Sequence, residues 1–249
     1  MKKLGLIGYP LGHSFSKKYF TDKFKNESTG DFQYENYPLE TIELLPGLIE
    51  KENSLIGLNV TIPYKQKVME YINVLDDNAM AIGAVNTVKI IRKNKKIILE
   101  GYNTDAYGFE QPLLNVLDQD IKYKGLILGT GGASKAVSFI LDKHGIEYLM
   151  VSRKPKNPDH ISYSDVTNDL IHDYKIIINT SPLGMYPDIE SRPDIPYDAL
   201  GKDHILYDLV YNPLMTSFLK EGEQRNTKLI NGLKMLHLQA EMAWKIWMK

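Results

Sequence analysis

The run KGLILGTGGASKAVSFILDKHGIEYLMVSR, residues 124–153, leaves few folds open to this chain. It opens on a short apolar stretch that ends at Leu128 and has no polar alternation. Such a strand is buried on both faces, as strands of parallel sheets are. Gly129, Gly131 and Gly132 follow, then a helical pattern from Ala133 and a second apolar stretch ending in VSR. Strand, tight turn, helix and strand make one βαβ unit. Buried strand patterns recur at 175–179 and 204–209, with a short one at 228–230. This alternation predicts a parallel, doubly wound sheet.

The first hundred residues read as a mixed sheet. Strands are expected at Lys3–Gly8, Gln33–Pro38, Leu55–Ile62, Ala84–Arg92 and Lys96–Tyr102, the last two flanking a KNKK turn. Ser16 is read as the cap of a helix whose Tyr19, Phe20, Lys23 and Phe24 share one face. Thr41 is read as the cap of another, through Leu44, Leu45, Leu48 and Ile49, with Pro46 inside it. The order is β-α-β-α-β followed by a hairpin. Asp105–Leu117 is expected to be a linking helix. The last segment, GLKMLHLQAEMAWKIWMK, carries Leu233, Leu236, Ala240, Ala243, Trp244 and Trp247 as an apolar stripe. A stripe of that kind is buried against something, and periodicity alone leaves its partner open.

A chain of 249 residues makes one large domain or two small ones. Its net charge of −1 offers no basic footprint for nucleic acid or an anionic membrane. With no cysteine, disulfides, thiolate nucleophiles and cysteine-based zinc sites are excluded, and no metal is expected. At the start, Gly8, Tyr9 and Pro10 break the apolar run behind Lys2 and Lys3, so the segment reads as a strand and not a signal peptide. No apolar run approaches the roughly 18 residues of a membrane span. A cytoplasmic protein is expected. Oligomeric state is not legible, and a homodimer is left open.

The glycine turn suits a pyrophosphate, because its backbone approaches closely and the helix start presents free N–H groups. An NAD site usually places an acid about 20 residues further on, against the ribose. Here stand Ser152, Arg153, Lys154 and Lys156, a cationic cluster that suits the 2′-phosphate of NADP. Polar residues also interrupt apolar frames elsewhere. Ser14 and Ser16 follow the first strand, and Asn59, Thr61 and Lys65 lie along GLNVTIPYK. Asn86 lies in AVNTV, Asp105 in GYNTDAYGF, and Gln239 on the last helix between Leu236 and Ala243. Helix capping and exposed helix edges account for some of these singly. A cleft where the strand ends of an open sheet converge accounts for most of them together.

Eight segments, in order, resemble the shikimate dehydrogenase family. They are GYPLGHSFSKKYF, GLNVTIPYK, AIGAVNTV, GYNTDAYGF, GTGGASKA, NTSPLGM, YDLVYNP and GLKMLHLQA. The resemblance implies NADP-dependent, reversible reduction of 3-dehydroshikimate to shikimate, on the way to chorismate and the aromatic amino acids. It implies an N-terminal mixed-sheet α/β substrate domain, residues 1–104, completed by the C-terminal helix 232–249. A Rossmann-like NADP-binding domain would span 105–231. Ser14 and Ser16, helped by Tyr211, would hold the substrate carboxylate. Asn59, Thr61, Asn86 and Gln239 would orient carboxylate and hydroxyls. Lys65 and Asp105 would flank the reacting bond. Gly129, Gly131, Gly132 and Ala133 would cradle the pyrophosphate, with Ser152, Arg153 and Lys154 at the 2′-phosphate and Thr180 and Met185 along the cofactor.

The chain departs from the family pattern in places. Ser152-Arg153-Lys154 replaces Asn-Arg-Thr, and the family's second arginine aligns with Asn157. Lys135 stands where arginine is frequent, and Ala106 replaces a glycine. The chain is short after Gln239, so a truncated terminal helix is expected. The competing readings are a quinate/shikimate dehydrogenase using NAD(P), a methylene-tetrahydrofolate dehydrogenase, and a non-catalytic NADP-binding sensor.

Overall fold

The structure is a computed structural model that describes residues 1–12, 15–27, 30–155 and 157–249. It forms two compact units, Met1–Thr104 with Ala240–Lys249, and Asp105–Gln239.

In the first unit, strands β1 (Lys2–Gly8), β2 (Phe32–Pro38), β3 (Leu55–Val60), β4 (Val74–Leu75), β5 (Thr87–Lys93) and β6 (Lys96–Tyr102) make one sheet. Its order is β2-β1-β3-β5-β6-β4. The pairs β1/β2 and β1/β3 are parallel, while β3/β5 and β5/β6 are antiparallel. Helices α1 (Phe15–Asn26), α2 (Leu45–Lys51) and α3 (Asp77–Ile82) belong to the same unit. The sheet is covered on both faces. On one, Ile7, Leu58, Val60 and Val88 pack with Leu45 and Ile49 of α2. On the other, Leu4, Leu6 and Tyr34 pack with Phe20 and Phe24 of α1 and with Ala240, Ala243 and Trp247.

The period of two along β3 sorts its side chains between these faces. Leu58 and Val60 enter the first core. Gly57 and Asn59 point the other way. A β-carbon at Gly57 would overlap the Trp247 indole, so glycine is what lets the ring lie flat on the strand. Trp247 Nε1 also donates to the Val88 carbonyl at 3.0 Å.

Several boundaries differ from expectation. Strand β3 ends at Val60, and Ile62 is 74% exposed where a buried strand residue was expected. The reason is local. Thr61 N still donates to Ile7 O at 2.9 Å, but Pro63 has no N–H to give, and Tyr64 N turns back to Thr61 O. Asn86 lies just before β5 and not inside it. Ser16 is in the first turn of α1, which begins at Phe15, so it is not the cap. A 3-10 turn, Ile42–Leu44, precedes α2, which puts Pro46 in that helix's first turn, where its missing N–H costs nothing. The two-residue strand β4 was not anticipated.

The second unit begins with α4 (Asp105–Leu114), which stops short of the expected Leu117. Then follow β7 (Lys124–Leu128), α5 (Gly132–Lys143), β8 (Glu147–Val151), β9 (His160–Ile161), α6 (Asn168–Asp173), β10 (Ile176–Asn179), β11 (Ile205–Asp208), α7 (Ser217–Glu223) and β12 (Lys228–Ile230). The sheet order is β12-β11-β10-β7-β8-β9, and every pairing is parallel. That is the Rossmann order, reversing between β7 and β10. The fold class is therefore the expected one, a mixed α/β unit and a Rossmann-like unit. Helix α8 (Gly232–Met248) is divided between them, its residues up to Gln239 in the second unit and those from Ala240 in the first.

Candidate active site

In the first unit a polar cluster lies at the ends of β3 and β5. Asn59 and Thr87 are direct partners in the antiparallel register, so their side chains meet on one face. Asn59 Nδ2 donates to Thr87 Oγ1 at 3.3 Å and to Asn86 O at 3.4 Å. Asn59 Oδ1 accepts from the Tyr34 hydroxyl at 2.7 Å. Ser16 bonds that same hydroxyl, and burial drives the phenol's pKa far above its usual value. On the other side, Asn86 Oδ1 accepts from Thr87 Oγ1 at 3.2 Å and from Thr104 N at 2.7 Å. Asn86 Nδ2 donates to Thr104 Oγ1 at 3.0 Å. Asn86, Thr87 and Thr104 are all buried. Of the expected substrate residues, this cluster joins Ser16, Asn59 and Asn86.

Thr61 and Lys65 occupy the turn that leaves β3. Both are half-buried, and the turn is fixed by backbone bonds, Lys65 O accepting from Val85 N at 2.7 Å. Ser14 lies outside the described residues.

In the second unit, Asp105 is the first residue of α4 and is buried. One turn further on, Gly108 faces α8, where a β-carbon would come within 3.3 Å of Gln239 Cβ. Asp105 and Gln239 are thus on neighbouring helical turns. Tyr211 follows β11, half-buried, its phenol raised by burial.

The expected cofactor residues collect at the carboxyl ends of β7, β8 and β10, around the point where strand order reverses. Gly129 holds φ at +114°, a backbone region that excludes ordinary side chains, and its N–H donates to Val151 O at 2.9 Å. Thr180 Oγ1 donates to Leu128 O at 3.0 Å and to Gly129 O at 3.2 Å. Helix α5 starts at Gly132 with Gly131 as its cap and no side-chain cap bond. Space around Gly131 and Gly132 is open to 4 Å beyond where a β-carbon would stand. An exposed, uncapped helix start beside a glycine turn fits a dinucleotide pyrophosphate. Ala133 follows within that first turn. Ser152 N is tied to Ile161 O at 2.8 Å, and Ser152 Oγ accepts from Lys154 N at 3.2 Å. Arg153 and Lys154 are exposed beyond them, and Lys156 lies outside the described residues. Met185 is 45% exposed on the loop after β10.

A buried carboxylate organises the loops after β10 and β11. Asp208 accepts from Asn179 Nδ2 at 3.0 Å, from Val210 N at 2.9 Å and from Thr216 Oγ1. Desolvation raises its pKa to about 6, against the pull of those donors. Asn179 Oδ1 in turn accepts from Ser181 N and Ser181 Oγ.

Reading the sequence alone did not single out Tyr34, Thr87, Asn179 or Asp208. Tyr34 and Thr87 lie in strands where pattern assigns them to the core. Only register and sheet order bring them to Asn59. Among the described residues no group of three or more histidines or acids is placed to hold a metal, and no helix is long and apolar enough to cross a membrane.

Residues 6–88 match the family model described as the shikimate dehydrogenase substrate binding domain. The chain is 42% identical over 260 residues to the shikimate dehydrogenase (NADP(+)) of Clostridium beijerinckii, covering 99% of this chain and 92% of that protein. It is 37% identical over 264 residues to the enzyme of the same name from Methanococcus vannielii, covering 98% and 90%. Among solved structures, the shikimate 5-dehydrogenase of Thermus thermophilus in complex with NADP(H) and shikimate is 30% identical with a TM-score of 0.81, covering 99% of this chain and 93% of that one. The chain belongs to the shikimate dehydrogenase family.

Proposed function

We propose that this protein catalyses the reversible NADPH-dependent reduction of 3-dehydroshikimate to shikimate, the step its relatives are named for. The observation that carries the reading is the amide and hydroxyl cluster of Asn59, Asn86, Thr87 and Thr104 at the strand ends of the first unit. A core has no use for so many hydrogen-bonding groups, whereas a small hydroxylated acid is recognised by amides held in place as Asn59 and Asn86 are.

When bound, NADPH supplies the hydride that reduces the substrate ketone. Gly129, Gly131, Gly132 and Ala133 would hold its pyrophosphate, Arg153 with Ser152 and Lys154 its 2′-phosphate, and Thr180 and Met185 its further length. Ser14, Ser16 and Tyr211 bind the substrate carboxylate. Asn59, Thr61, Asn86 and Gln239 orient it and the ring hydroxyls. Negative charge develops on the ketone oxygen during reduction. The Lys65 ammonium stabilises that charge more in the transition state than in the ground state, and it delivers the proton. Asp105 accepts a hydrogen bond from a substrate hydroxyl. In the reverse direction Lys65 takes the proton back.

This reading puts the protein in the cytoplasm, acting on a freely diffusing small molecule. The test is absorbance at the nicotinamide band with shikimate and with quinate, each paired with NADP and with NAD. Fastest turnover is expected for shikimate with NADP. Quinate turnover equal to that of shikimate would move the protein to the quinate/shikimate group. Tight cofactor binding without turnover of either acid would refute catalysis.

A further inference from the structure

Thr87 is completely buried, and nothing in the proposed chemistry gives it a contact with substrate. Its hydroxyl nevertheless stands between the two amides assigned to substrate orientation. It accepts from Asn59 Nδ2 at 3.3 Å and donates to Asn86 Oδ1 at 3.2 Å, with Thr104 Oγ1 at 3.4 Å. An amide has two nearly isosteric ends, one a donor and the other an acceptor. Which end faces a ligand is set by what holds the other. For Asn59 the setting is done by Tyr34, which requires the oxygen, and by Thr87, which takes the nitrogen. For Asn86 it is done by Thr104 N and by Thr87, both of which require the oxygen.

We propose that Thr87 is a positioning residue that fixes the orientation of the Asn59 and Asn86 amides for substrate recognition, an inference that rests on the functional reading above. A hydroxyl is the group suited to the task, because it accepts and donates at once. A β-branched residue also suits the strand and restricts the hydroxyl to few rotamers. Valine at this position fills the same space and removes both bonds. The Asn59 nitrogen then keeps its longer bond to Asn86 O, and each amide is held through one contact fewer, Asn59 by Tyr34 and Asn86 by Thr104.

The experiment compares parent, Thr87→Val and Thr87→Ser by steady-state shikimate oxidation, with an unfolding midpoint for each. Thr87→Val is expected to raise the KM for shikimate about fivefold, the equivalent of one neutral hydrogen bond, with the KM for NADP unchanged. Thr87→Ser keeps the hydroxyl and is expected to hold the shikimate KM within about twofold of the parent, even where loss of the methyl lowers its midpoint. A Thr87→Val protein with a lowered midpoint and parental KM values makes the residue purely structural and overturns the proposal. So does a raised shikimate KM in Thr87→Ser. Should Thr87→Val not fold, Thr87→Ala replaces it, read against Thr87→Ser, from which it differs only by the hydroxyl. An inactive parent would refute the functional reading itself, whereas an active parent with an unmoved Thr87→Val refutes this inference alone.

Discussion

Replacing Asp208 by asparagine should change how stability depends on pH, and the size of the change follows from its site. The carboxyl is completely buried and is raised from near 3.8 to about 6, chiefly by desolvation. A raised folded pKa means that the folded chain holds this proton more tightly than the unfolded chain does. Between about pH 4 and 6 the folded state therefore binds more protons, and stability falls as pH rises. The gap of about two pH units, at 1.36 kcal/mol each, is worth about 3 kcal/mol across the window. Other carboxylates run the opposite way. Glu110 is desolvated too, but Lys143 and His144 outweigh that and hold its pKa down, so its contribution is lost on acidification. The parent curve is the sum of such groups, and the difference between parent and Asp208→Asn isolates one of them. Asparagine keeps an acceptor for Asn179 and Val210 and turns a donor toward Thr216 Oγ1. Urea unfolding of both proteins from pH 4 to 7 is the assay. The variant should gain on the parent by about 3 kcal/mol as pH rises through the window. Parallel curves would refute the reasoning, because they would mean the carboxyl titrates alike in folded and unfolded chains.

Lys65→Ala should lower kcat at least about a hundredfold, the lower end of positioned proton transfer, with a smaller change in the shikimate KM; unchanged kcat in steady-state kinetics removes the lysine from the chemistry. Arg153→Ala should raise the KM for NADP about tenfold, as loss of a charge-assisted bond does, and leave that for NAD unmoved. Equal effects on both cofactors would place the arginine away from the 2′-phosphate. Trp247→Ala should cost about 3–5 kcal/mol in chemical denaturation, since it empties a buried site and removes the indole's bond to the Val88 carbonyl. A loss under about 1 kcal/mol would mean that the seam over Gly57 closes without the indole.

Both sheets were legible because their strands are long enough to carry a period. Apolar runs such as Leu126–Leu128 and Ile176–Ile178 also announce burial on two faces. Strands β4 and β9 have two residues each, too few to carry any period. Pro63 was visible, but only the pairing of Thr61 with Ile7 shows where β3 lets go. The hydrogen-bonded cluster was half legible. Asn59 and Asn86 stood out as amides on apolar frames, and an amide is conspicuous there. Tyr34 did not, because its ring stacks on Phe20 like any core aromatic while only its oxygen reaches Asn59. Thr87 did not either, because threonine is at home in strands, and its role comes from a partner across the sheet. Asp208 was overlooked for a related reason, as its donors come from three separate places along the chain.

Helix α8 has a consequence for the order in which the protein is finished. A ribosome delivers residues 1–104 first, and domains generally fold as they emerge. Yet the groove over Gly57 is filled by Trp247, and Phe20 and Phe24 meet their tryptophan neighbours only from residue 244 onward. Residues 1–104 are thus made well before the tryptophans that seal them. Until residue 247 has been added, the slot over Gly57 lacks the indole that fills it.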